Sequence, residues 1–312
     1  MTKRVKYFQV AQGVWGMKII FVNVFIIANR RGFPKGWVLV DTGLKGQEEK
    51  IIAMAESIFG SGAKPSAIIL THAHSDHAGS LEALLEKWDV PVYAHELELP
   101  YLTGRSAYPP SDFSAGGGLI SLLSPAFPRK PIDIGNKVKA IDVENGIPEL
   151  PEWKIIETPG HAPGHVSLFL PLNTTLIAGD AIATTKPESA FYDATYIKKL
   201  SGPTKFMTTD WPNAAASVRR LAALQPRIVA SGHGPVMRGR EVQDALQYLA
   251  DNFEQVAVPE SGRYVGDSAK ADENGTYYVP PFKTSTTFKV WVGVIGAAIG
   301  FIAAKQINKK GE

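Results

Sequence analysis

One short stretch of the chain combines the side chains that bind divalent metals. Residues 71 to 77 read Thr-His-Ala-His-Ser-Asp-His, so three imidazoles and one carboxylate fall within six positions. Neutral imidazole and carboxylate are ligands that suit zinc and related ions, whereas clustered imidazoles without a metal repel one another once they are protonated. A polar turn that happens to contain histidines is the alternative, but a solvated turn has no need of this composition. The stretch therefore predicts a metal site.

Further histidines and an aspartate stand in similar positions along the chain. Among the 7 His of the 312 residues, three belong to Gly160-His161-Ala-Pro-Gly-His165 and Gly232-His233-Gly234. Gly179-Asp180 follows the apolar run Leu176-Ile-Ala178, just as the 71–77 stretch follows Ala67-Ile-Ile-Leu70. Short apolar runs of this kind are typical of buried strands. We therefore expect the polar motifs in loops at strand ends, where rigid scaffolds usually present functional groups.

Taken in order, these motifs resemble those of the metallo-β-lactamase superfamily. That family's pattern is His-x-His-x-Asp-His, then Gly-His-x-Pro-Gly-His, then Gly-Asp, then Gly-His-Gly. Val40-Asp41-Thr42-Gly43 is similar to its first motif as well. The resemblance runs from about Val5 to about Asn252, and five motifs in the right order are far more specific than a lone His-x-His.

The resemblance implies a site for two Zn²⁺ ions per chain, although other divalent metals suit the same ligands. The ligands of one ion would be His72, His74 and His161, and those of the second ion would be Asp76, His77 and His233. Asp180 would bridge both ions, together with a hydroxide. Asp41 and His165 would support the ligands through hydrogen bonds without binding metal. His95 belongs to no motif and is expected to be structural.

The implied chemistry is hydrolysis of an ester-like bond in a small-molecule substrate. Two such ions hold a hydroxide at neutral pH and polarise the scissile carbonyl. Asp76 and Asp180 are the expected catalytic carboxylates, and either a metal-bound water or Asp76 would protonate the leaving group. A lactone or carboxylic ester is the leading substrate by elimination. His74 argues against the oxygen-reducing di-iron branch, because that branch carries Glu at this position.

Two alternative functions remain open from the sequence. A thioester hydrolase similar to glyoxalase II is one, although Gly234-Pro235-Val236 stands where that branch usually has Glu-Tyr. A non-catalytic, membrane-attached scaffold is the other, and the complete ligand set counts against it.

The leading lactonase interpretation has one departure from its relatives. Lactonases similar to the acyl-homoserine lactone enzymes often place Tyr three residues after the bridging Asp. This chain has Ala183 there, with Tyr192 and Tyr196 as the nearest tyrosines.

Composition agrees with an ordinary globular enzyme. The chain is 45% hydrophobic and 20% charged, and its formal net charge of +3 gives no reason to expect nucleic acid binding. With 0 Cys, disulfides, thiol catalysis and cysteine-bound zinc are excluded. The first residues are basic but no apolar core follows them, so no signal peptide is expected.

Strand and helix patterns intermix in both halves of the chain. Strands are predicted near residues 21–28, 37–41, 67–71, 90–94, 153–157, 166–170, 175–178 and 227–231. Helices are predicted over residues 47–59, 80–88, 213–224 and 239–252, from apolar residues at three- and four-residue spacing. Sheets in both halves need helical cover, which predicts an α+β fold, a four-layer αβ/βα sandwich whose loops meet at one edge. The resemblance implies the same fold.

Three regions depart from this alternating pattern. Residues 1–258 are predicted as the catalytic domain. Within it, residues 100–131 are predicted to be a Pro-rich loop that contains Gly116-Gly117-Gly118. We interpret this loop as a lid or substrate wall with a flexible hinge; without a Lys-Ser/Thr pair the glycines do not indicate a phosphate cradle. Residues 259–287 are polar and read as a linker. Residues 288–312 are an apolar tail.

The tail is a candidate membrane anchor for a cytoplasmic catalytic domain. Val290 to Ala304 contains no charged side chain, but a helix of this length spans only about 22 Å of a hydrocarbon core about 30 Å thick. Phe288 and Ile307 extend the run if Lys289 and Lys305 snorkel to the membrane surface. A helix buried on the domain or in an oligomer is the alternative, and the sequence leaves the oligomeric state open.

Overall fold

The computed structural model describes residues 5–29, 36–116, 119–189, 195 and 197–282. The strands and helices of these residues belong to the compact unit that ends at Pro280. The strands are β1 Phe8–Ala11, β2 Val14–Ile19, β3 Val22–Ala28, β4 Trp37–Val40, β5 Ala67–Ile69, β6 Val92–Ala94, β7 Val138–Ala140, β8 Lys154–Glu157, β9 Val166–Leu170, β10 Thr175–Ile177, β11 Ile228–Ala230, β12 Met237–Arg238, β13 Lys270–Asp272 and β14 Gly275–Tyr278. The helices are α1 Glu48–Phe59, α2 Leu81–Lys87, α3 Leu99–Leu102, α4 Leu119–Leu123, α5 Trp211–Ala223, α6 Arg240–Asp251 and α7 Phe253–Val256.

Two large sheets pack face to face in the part of the chain that the structure describes. The first has 7 strands in the order β1 to β7, and the second has 5 strands in the order β12-β11-β10-β9-β8. Their inner faces share one apolar cluster, in which Ile27 and Val40 of the first sheet lie with Leu168 and Ile177 of the second. Burying each such side chain stabilises the fold by roughly 1.5–3 kcal/mol.

Helices cover the outer face of each sheet. Helices α1 and α2 contribute Met54 and Leu84 to the cluster that contains Leu39 of β4. On the other side, Val218 of α5 packs in the cluster that contains Val229 of β11. The layers therefore run helices, sheet, sheet, helices, which confirms the predicted α+β fold and its four-layer αβ/βα sandwich.

The continuous apolar strands follow from this layering. Strands β3 and β9 are buried along their whole length, because one face of each meets the facing sheet and the other meets a helix layer. Helix α5 begins with a cap that its own sequence provides. The carboxylate of Asp210 accepts a hydrogen bond from the Asn213 N–H at 3.1 Å, and proline follows in the first turn.

The strand directions bring the polar motifs to one edge of the sandwich. Strands β4 and β5 are parallel, and so are β10 and β11. One or two residues after these strands end, the chain reaches Asp41, Thr71, Gly179 and Ser231. The turn between β8 and β9 reaches the same edge, because β9 runs antiparallel to β10. The carboxyl ends of both sheets therefore present the loops that carry the predicted metal ligands.

Part of the segment predicted as a polar linker, residues 259–287, has secondary structure. Residues 270 to 278 form an antiparallel hairpin of β13 and β14. Within it, the N–H of Thr276 donates to Ser106 Oγ at 3.0 Å, and the Thr276 hydroxyl lies 2.8 Å from the hydroxyl of Tyr101. The polar composition conceals this packing, since only alternate side chains of the hairpin face the domain.

The structure describes part of the Pro-rich segment and none of the apolar tail. The Pro-rich segment contains helices α3 and α4, and Gly117 and Gly118 of its glycine triplet lie outside the described residues. Within the described ranges, no helix has the length and apolar character that a bilayer crossing requires. Residues 288–312, the predicted anchor, lie outside those ranges.

Candidate metal centre

The seven side chains predicted as metal ligands lie together at the shared edge of the two sheets. Strand β5 ends two residues before Thr71, and the following loop carries the first four ligands, His72, His74, Asp76 and His77. The remaining three come from the second sheet. They are His161 in the β8–β9 turn, Asp180 after β10 and His233 after β11. Residues that are far apart in the sequence therefore form one cluster in the structure.

Three of the imidazoles form one ligand group. The ring nitrogens of His72, His74 and His161 lie within 4.8 Å of one another, and all three residues are buried. Nδ1 of His74 is 3.0 Å from Nε2 of His161. These are the residues predicted to hold the first ion.

A second group is made by Asp76, His77 and His233, whose ligand atoms also lie within 4.8 Å of one another. Oδ2 of Asp76 lies 3.5 Å from Nε2 of His233 and 3.9 Å from Nε2 of His77. Asp76 is half-buried, whereas the two histidines are buried. These are the residues predicted to hold the second ion.

Asp180 lies between the two groups. One carboxylate oxygen, Oδ1, is 3.3 Å from Nε2 of His77. The other, Oδ2, is 3.0 Å from Nε2 of His233 and 3.5 Å from Nε2 of His161. The carboxylate thus faces ligands from both groups, as a bridging ligand must.

The donor set fits a divalent metal. Nε2 of His72 is buried and has no hydrogen-bond partner among the described residues, and Nε2 of His77 and Oδ1 of Asp180, although 3.3 Å apart, do not have the geometry of a hydrogen bond. Buried polar atoms are rarely left unpaired, so these three atoms call for a ligand. Gly232 lets the chain approach this closely: a Cβ at this position would lie 2.0 Å from Asp180 Oδ1. Imidazole and carboxylate without thiolate suit zinc and related ions.

Asp41 orients the loop that carries the first ligands. Its Oδ1 accepts the Thr71 N–H at 2.8 Å, and its Oδ2 lies 2.8 Å from Nδ1 of His77. Because a carboxylate accepts, Nδ1 of His77 carries the proton and Nε2 is left to face the cluster. Asp41 itself holds a φ of 60°, a left-handed conformation that costs about 1–3 kcal/mol for a residue other than glycine. The position matches the predicted supporting role.

His165 supports Asp180 through the backbone. Nε2 of His165 accepts the Asp180 N–H at 2.9 Å, so its proton is on Nδ1, which lies 2.8 Å from the hydroxyl of Thr158. Both ring nitrogens therefore have partners, and His165 belongs to neither ligand group. His95, which no motif includes, is buried, and its Nε2 lies 3.1 Å from Oε1 of Glu157.

The electrostatics divide the histidines into two classes. Burial is the largest cause that lowers the pKa of His72 and His161 well below the usual value, and it lowers the pKa of His74 to about 4. Burial also opposes the charged form of His233, but the Asp180 carboxylate outweighs it and raises the pKa of His233 to about 9. The pKa of His77 is raised well above its usual value by Asp180 and Asp41, again against burial.

Two features beside the cluster carry no sequence motif. The Nδ1 of His233 donates to the backbone carbonyl of Phe21 at 3.0 Å, and the two rings stack with centroids 6.0 Å apart. Glu98 and Tyr108 contact the loop between His72 and His74.

A small cleft lies next to this loop. It is lined by Ser75 of the loop and by residues of the Pro-rich segment, among them Arg129 and Lys130. Tyr192 and Tyr196 lie outside the described residues.

A larger cavity, of about 350 Å³, lies on another side of the loop that carries His161. Its lining includes His95, Glu157, Asn213 and Lys270, together with His165. It contains none of the seven predicted ligands. The cavity is therefore separate from the metal cluster.

Comparison with known proteins points to the superfamily that the sequence motifs resemble. The family model of the metallo-beta-lactamase superfamily matches residues 18–233. Probable metallo-hydrolase YflN of Bacillus subtilis (strain 168) is 41% identical over 249 residues, which cover 80% of this chain and 94% of that protein. Probable metallo-hydrolase YybB of the same strain is 30% identical over 196 residues, covering 63% of this chain and 74% of that protein.

A solved structure shares the fold at lower sequence identity. A metallo-beta-lactamase family protein from Thermus thermophilus superposes with a TM-score of 0.54 and 21% identity, covering 79% of this chain and 81% of that one. The match to the family model includes all seven ligand positions, with His233 as its last residue. The chain belongs to the metallo-beta-lactamase superfamily.

Proposed function

We propose that this metallo-hydrolase superfamily member is a dinuclear zinc hydrolase that cleaves an ester-like bond, with a lactone or carboxylic ester as substrate. The observation that carries the proposal is the position of Asp180 between two complete ligand groups. Seven ligands are too many for one tetrahedral ion. A structural zinc site is also disfavoured, since such sites are closed and four-coordinate.

Each ligand group would hold one ion. His72, His74 and His161 would bind the first, Asp76, His77 and His233 the second, and Asp180 would contact both. When bound, such ions supply a nucleophile from water at neutral pH and polarise a carbonyl group. Asp41 and His165 would keep His77 and Asp180 in the orientation that this chemistry requires.

Asp76 is the group that we assign to proton transfer. It is half-buried, whereas the other six ligands are buried, and its side chain is 22% exposed. A carboxylate at the mouth of the cluster is accessible to a bound substrate and to solvent at the same time. Asp76 is thus placed to hold a proton and to give it to the leaving group.

The cleft next to Ser75 supports a role for residues 100–131 in substrate binding. Tyr101 and Tyr108 from this segment line it, together with Arg129 and Lys130. These two basic side chains favour a second candidate, hydrolysis of a thioester whose carrier bears negative charge. A non-catalytic scaffold is disfavoured because no ligand is missing.

Elemental analysis and a substrate panel test the proposal. We expect two zinc ions per chain after zinc-replete purification, and hydrolysis of lactones and carboxylic esters ahead of thioesters, phosphodiesters and β-lactams. The Asp180→Ala variant provides the matched inactive control. One metal or fewer per chain rejects the dinuclear site, and turnover of another class alone rejects the ester assignment.

The attachment of the tail to a membrane is a separate proposal that rests on the sequence alone. Val290 to Ala304 is apolar throughout, and we expect the full chain to stay with membranes after a wash in high-pH carbonate. Deletion of residues 288–312 should release it. Recovery of the full chain in the supernatant would reject the anchor.

A further inference from the structure

A buried carboxylate outside the known motifs lies behind the first ligand group. Glu98 ends the short 3-10 turn Glu96–Glu98 and is 0% exposed. Burying a carboxylate is costly unless hydrogen bonds compensate for the lost water. Its partners therefore indicate why it is there.

The two oxygens of Glu98 bind two different ligand loops. Oε2 accepts the N–H of Ala73 at 2.9 Å, and Ala73 is the residue between His72 and His74. Oε1 accepts the N–H of Gly164 at 2.8 Å, and Gly164 lies in the turn that carries His161. One rigid carboxylate thus joins a loop of the first sheet to a turn of the second.

Tyr108 reinforces the same contact. Its hydroxyl donates to Oε2 of Glu98 and accepts the Ala73 N–H at 2.9 Å. Its ring centroid lies 4.2 Å from that of His74. Burial raises the pKa of the Tyr108 hydroxyl well above its usual value, and the Glu98 charge adds to this shift, so the hydroxyl stays a donor.

The turn approaches Glu98 too closely for any side chain at position 164. A Cβ on Gly164 would lie 2.9 Å from Cγ of Glu98 and 2.9 Å from Nδ1 of His95. Both distances are shorter than ordinary van der Waals contact. The glycine therefore permits the short hydrogen bond between this turn and Glu98.

We propose that Glu98 is a positioning residue that fixes the separation between the His72–His74 segment and the turn carrying His161. Through this contact the three imidazoles converge on one ion. The inference rests on the proposed function only in that these histidines bind a metal. The second ligand group has no direct bond to Glu98 among the described residues, so the effect should be confined to the first ion.

The test compares Glu98→Gln with Glu96→Gln, an exposed residue of the same turn. Glutamine keeps the shape, but its amide nitrogen cannot accept a hydrogen bond from a backbone N–H. We expect Glu98→Gln to weaken one of the two zinc sites by about 10- to 100-fold, the usual effect of losing a partner that orients metal ligands. The control should bind both ions like the unaltered chain.

Two readouts separate positioning from a general effect on folding. Stepwise zinc affinities come from competition with a chromophoric chelator, and Co²⁺ absorption bands report the geometry of the first site. Thermal unfolding of the metal-free variants measures stability independently. A folded Glu98→Gln protein with both zinc affinities and the Co²⁺ spectrum unchanged overturns the proposal.

A second variant covers the case in which Glu98→Gln does not fold. Tyr108→Phe removes only the hydroxyl, and a smaller loss of affinity at the same site is expected; no loss overturns the proposal. If the unaltered chain binds metal but hydrolyses no substrate of the panel, the proposed reaction fails while the Glu98 result stands. If the unaltered chain binds no metal, both fail together.

Discussion

Three of the imidazoles proposed as metal ligands are oriented by other groups of the protein. Nδ1 of His77 donates to Asp41, and Nδ1 of His233 donates to the Phe21 carbonyl. Nδ1 of His72 lies 3.1 Å from the hydroxyl of Thr71. In each ring Nε2 is the nitrogen that faces the cluster, so a neighbouring group fixes the orientation of the ring.

This division of roles predicts unequal effects for two aspartates. Asp180→Ala removes a side chain that faces both ligand groups, whereas Asp41→Ala removes a support for His77. We expect Asp41→Ala to lower zinc affinity or activity by about 10- to 100-fold, and Asp180→Ala to lower kcat/KM by more than that and to reduce the zinc content. Metal analysis and steady-state kinetics on both variants check the order. Equal losses would contradict it.

Metal binding should release protons, because two of the proposed ligands hold protons in the metal-free protein. The Asp180 charge raises the pKa of His233 to about 9 and the pKa of His77 well above its usual value. Both imidazoles are therefore protonated at pH 7, and a metal must displace these protons. The apparent affinity should rise with pH, and for the proton on His233 this rise should extend to about pH 9. Titration calorimetry in buffers of different ionisation enthalpy measures the release; zero protons at pH 7 would be inconsistent with it.

At the level of secondary-structure elements, local sequence patterns predict the strands that are buried on both faces. The sequence predicts a strand near residues 166–170, and β9 has those bounds, since its continuous apolar run is visible in the sequence. It does not predict strands β1 and β2, because polar residues interrupt them and each has a partly exposed face. The hairpin β13–β14 also escapes prediction, although Asn274-Gly275 is a turn signal.

The candidate site is predictable to a similar extent. The seven ligands follow from short motifs at the ends of apolar runs. Glu98 and Tyr108 stand 25 and 35 residues from Ala73, the residue that they bind. No local pattern reports such a contact, because it depends on how a turn after β6 folds back over the loop after β5.

The packing of the hairpin can be tested by comparing its Gly275 with Gly266, which precedes the hairpin. Gly275 has a φ of 110° and a Cβ there would lie 2.2 Å from that of Ser106, whereas Gly266 has a φ of 76° and nothing within 4 Å. Gly266→Ala should cost about 1–2 kcal/mol of the free energy of unfolding, from backbone strain alone. Gly275→Ala should cost about 1–3 kcal/mol more, from the clash. Chemical denaturation compares them, and equal costs would mean that the hairpin does not pack on Ser106.

The Pro-rich segment is expected to set selectivity and not metal binding. Arg129 and Lys130 are exposed beside the cleft, so the double substitution to Ala should leave the fold and zinc content unchanged. We expect KM to rise roughly 2- to 10-fold for negatively charged substrates and to stay the same for neutral lactones. Lys139→Ala on β7, also exposed, is the matched control. An unchanged substrate profile would remove the segment from the binding site.

At the scale of the whole molecule, the proposed metal ligands are divided between the two sheets. The loop after β5 supplies His72 to His77, and the second sheet supplies His161, Asp180 and His233. The apolar cluster between the sheets holds the same two layers together. The proposed metal cluster therefore lies at one edge of the interface between the two sheets, and the apolar cluster occupies the interior of that interface.

If the proposed zinc ions bind at this edge, the lifetime of the protein in a cell would depend on the zinc supply. An ion that binds only when both sheets are in place stabilises the folded chain by about 2.7 kcal/mol at a free concentration roughly 100 times its dissociation constant. We expect the thermal midpoint to fall when a chelator is added and to recover with zinc, with both sheets unfolding in one transition. Starvation for zinc should shorten the half-life of the chain in cells, because unfolded molecules are the substrate of proteases. A midpoint that is independent of zinc would show that the two sheets hold together without the ions.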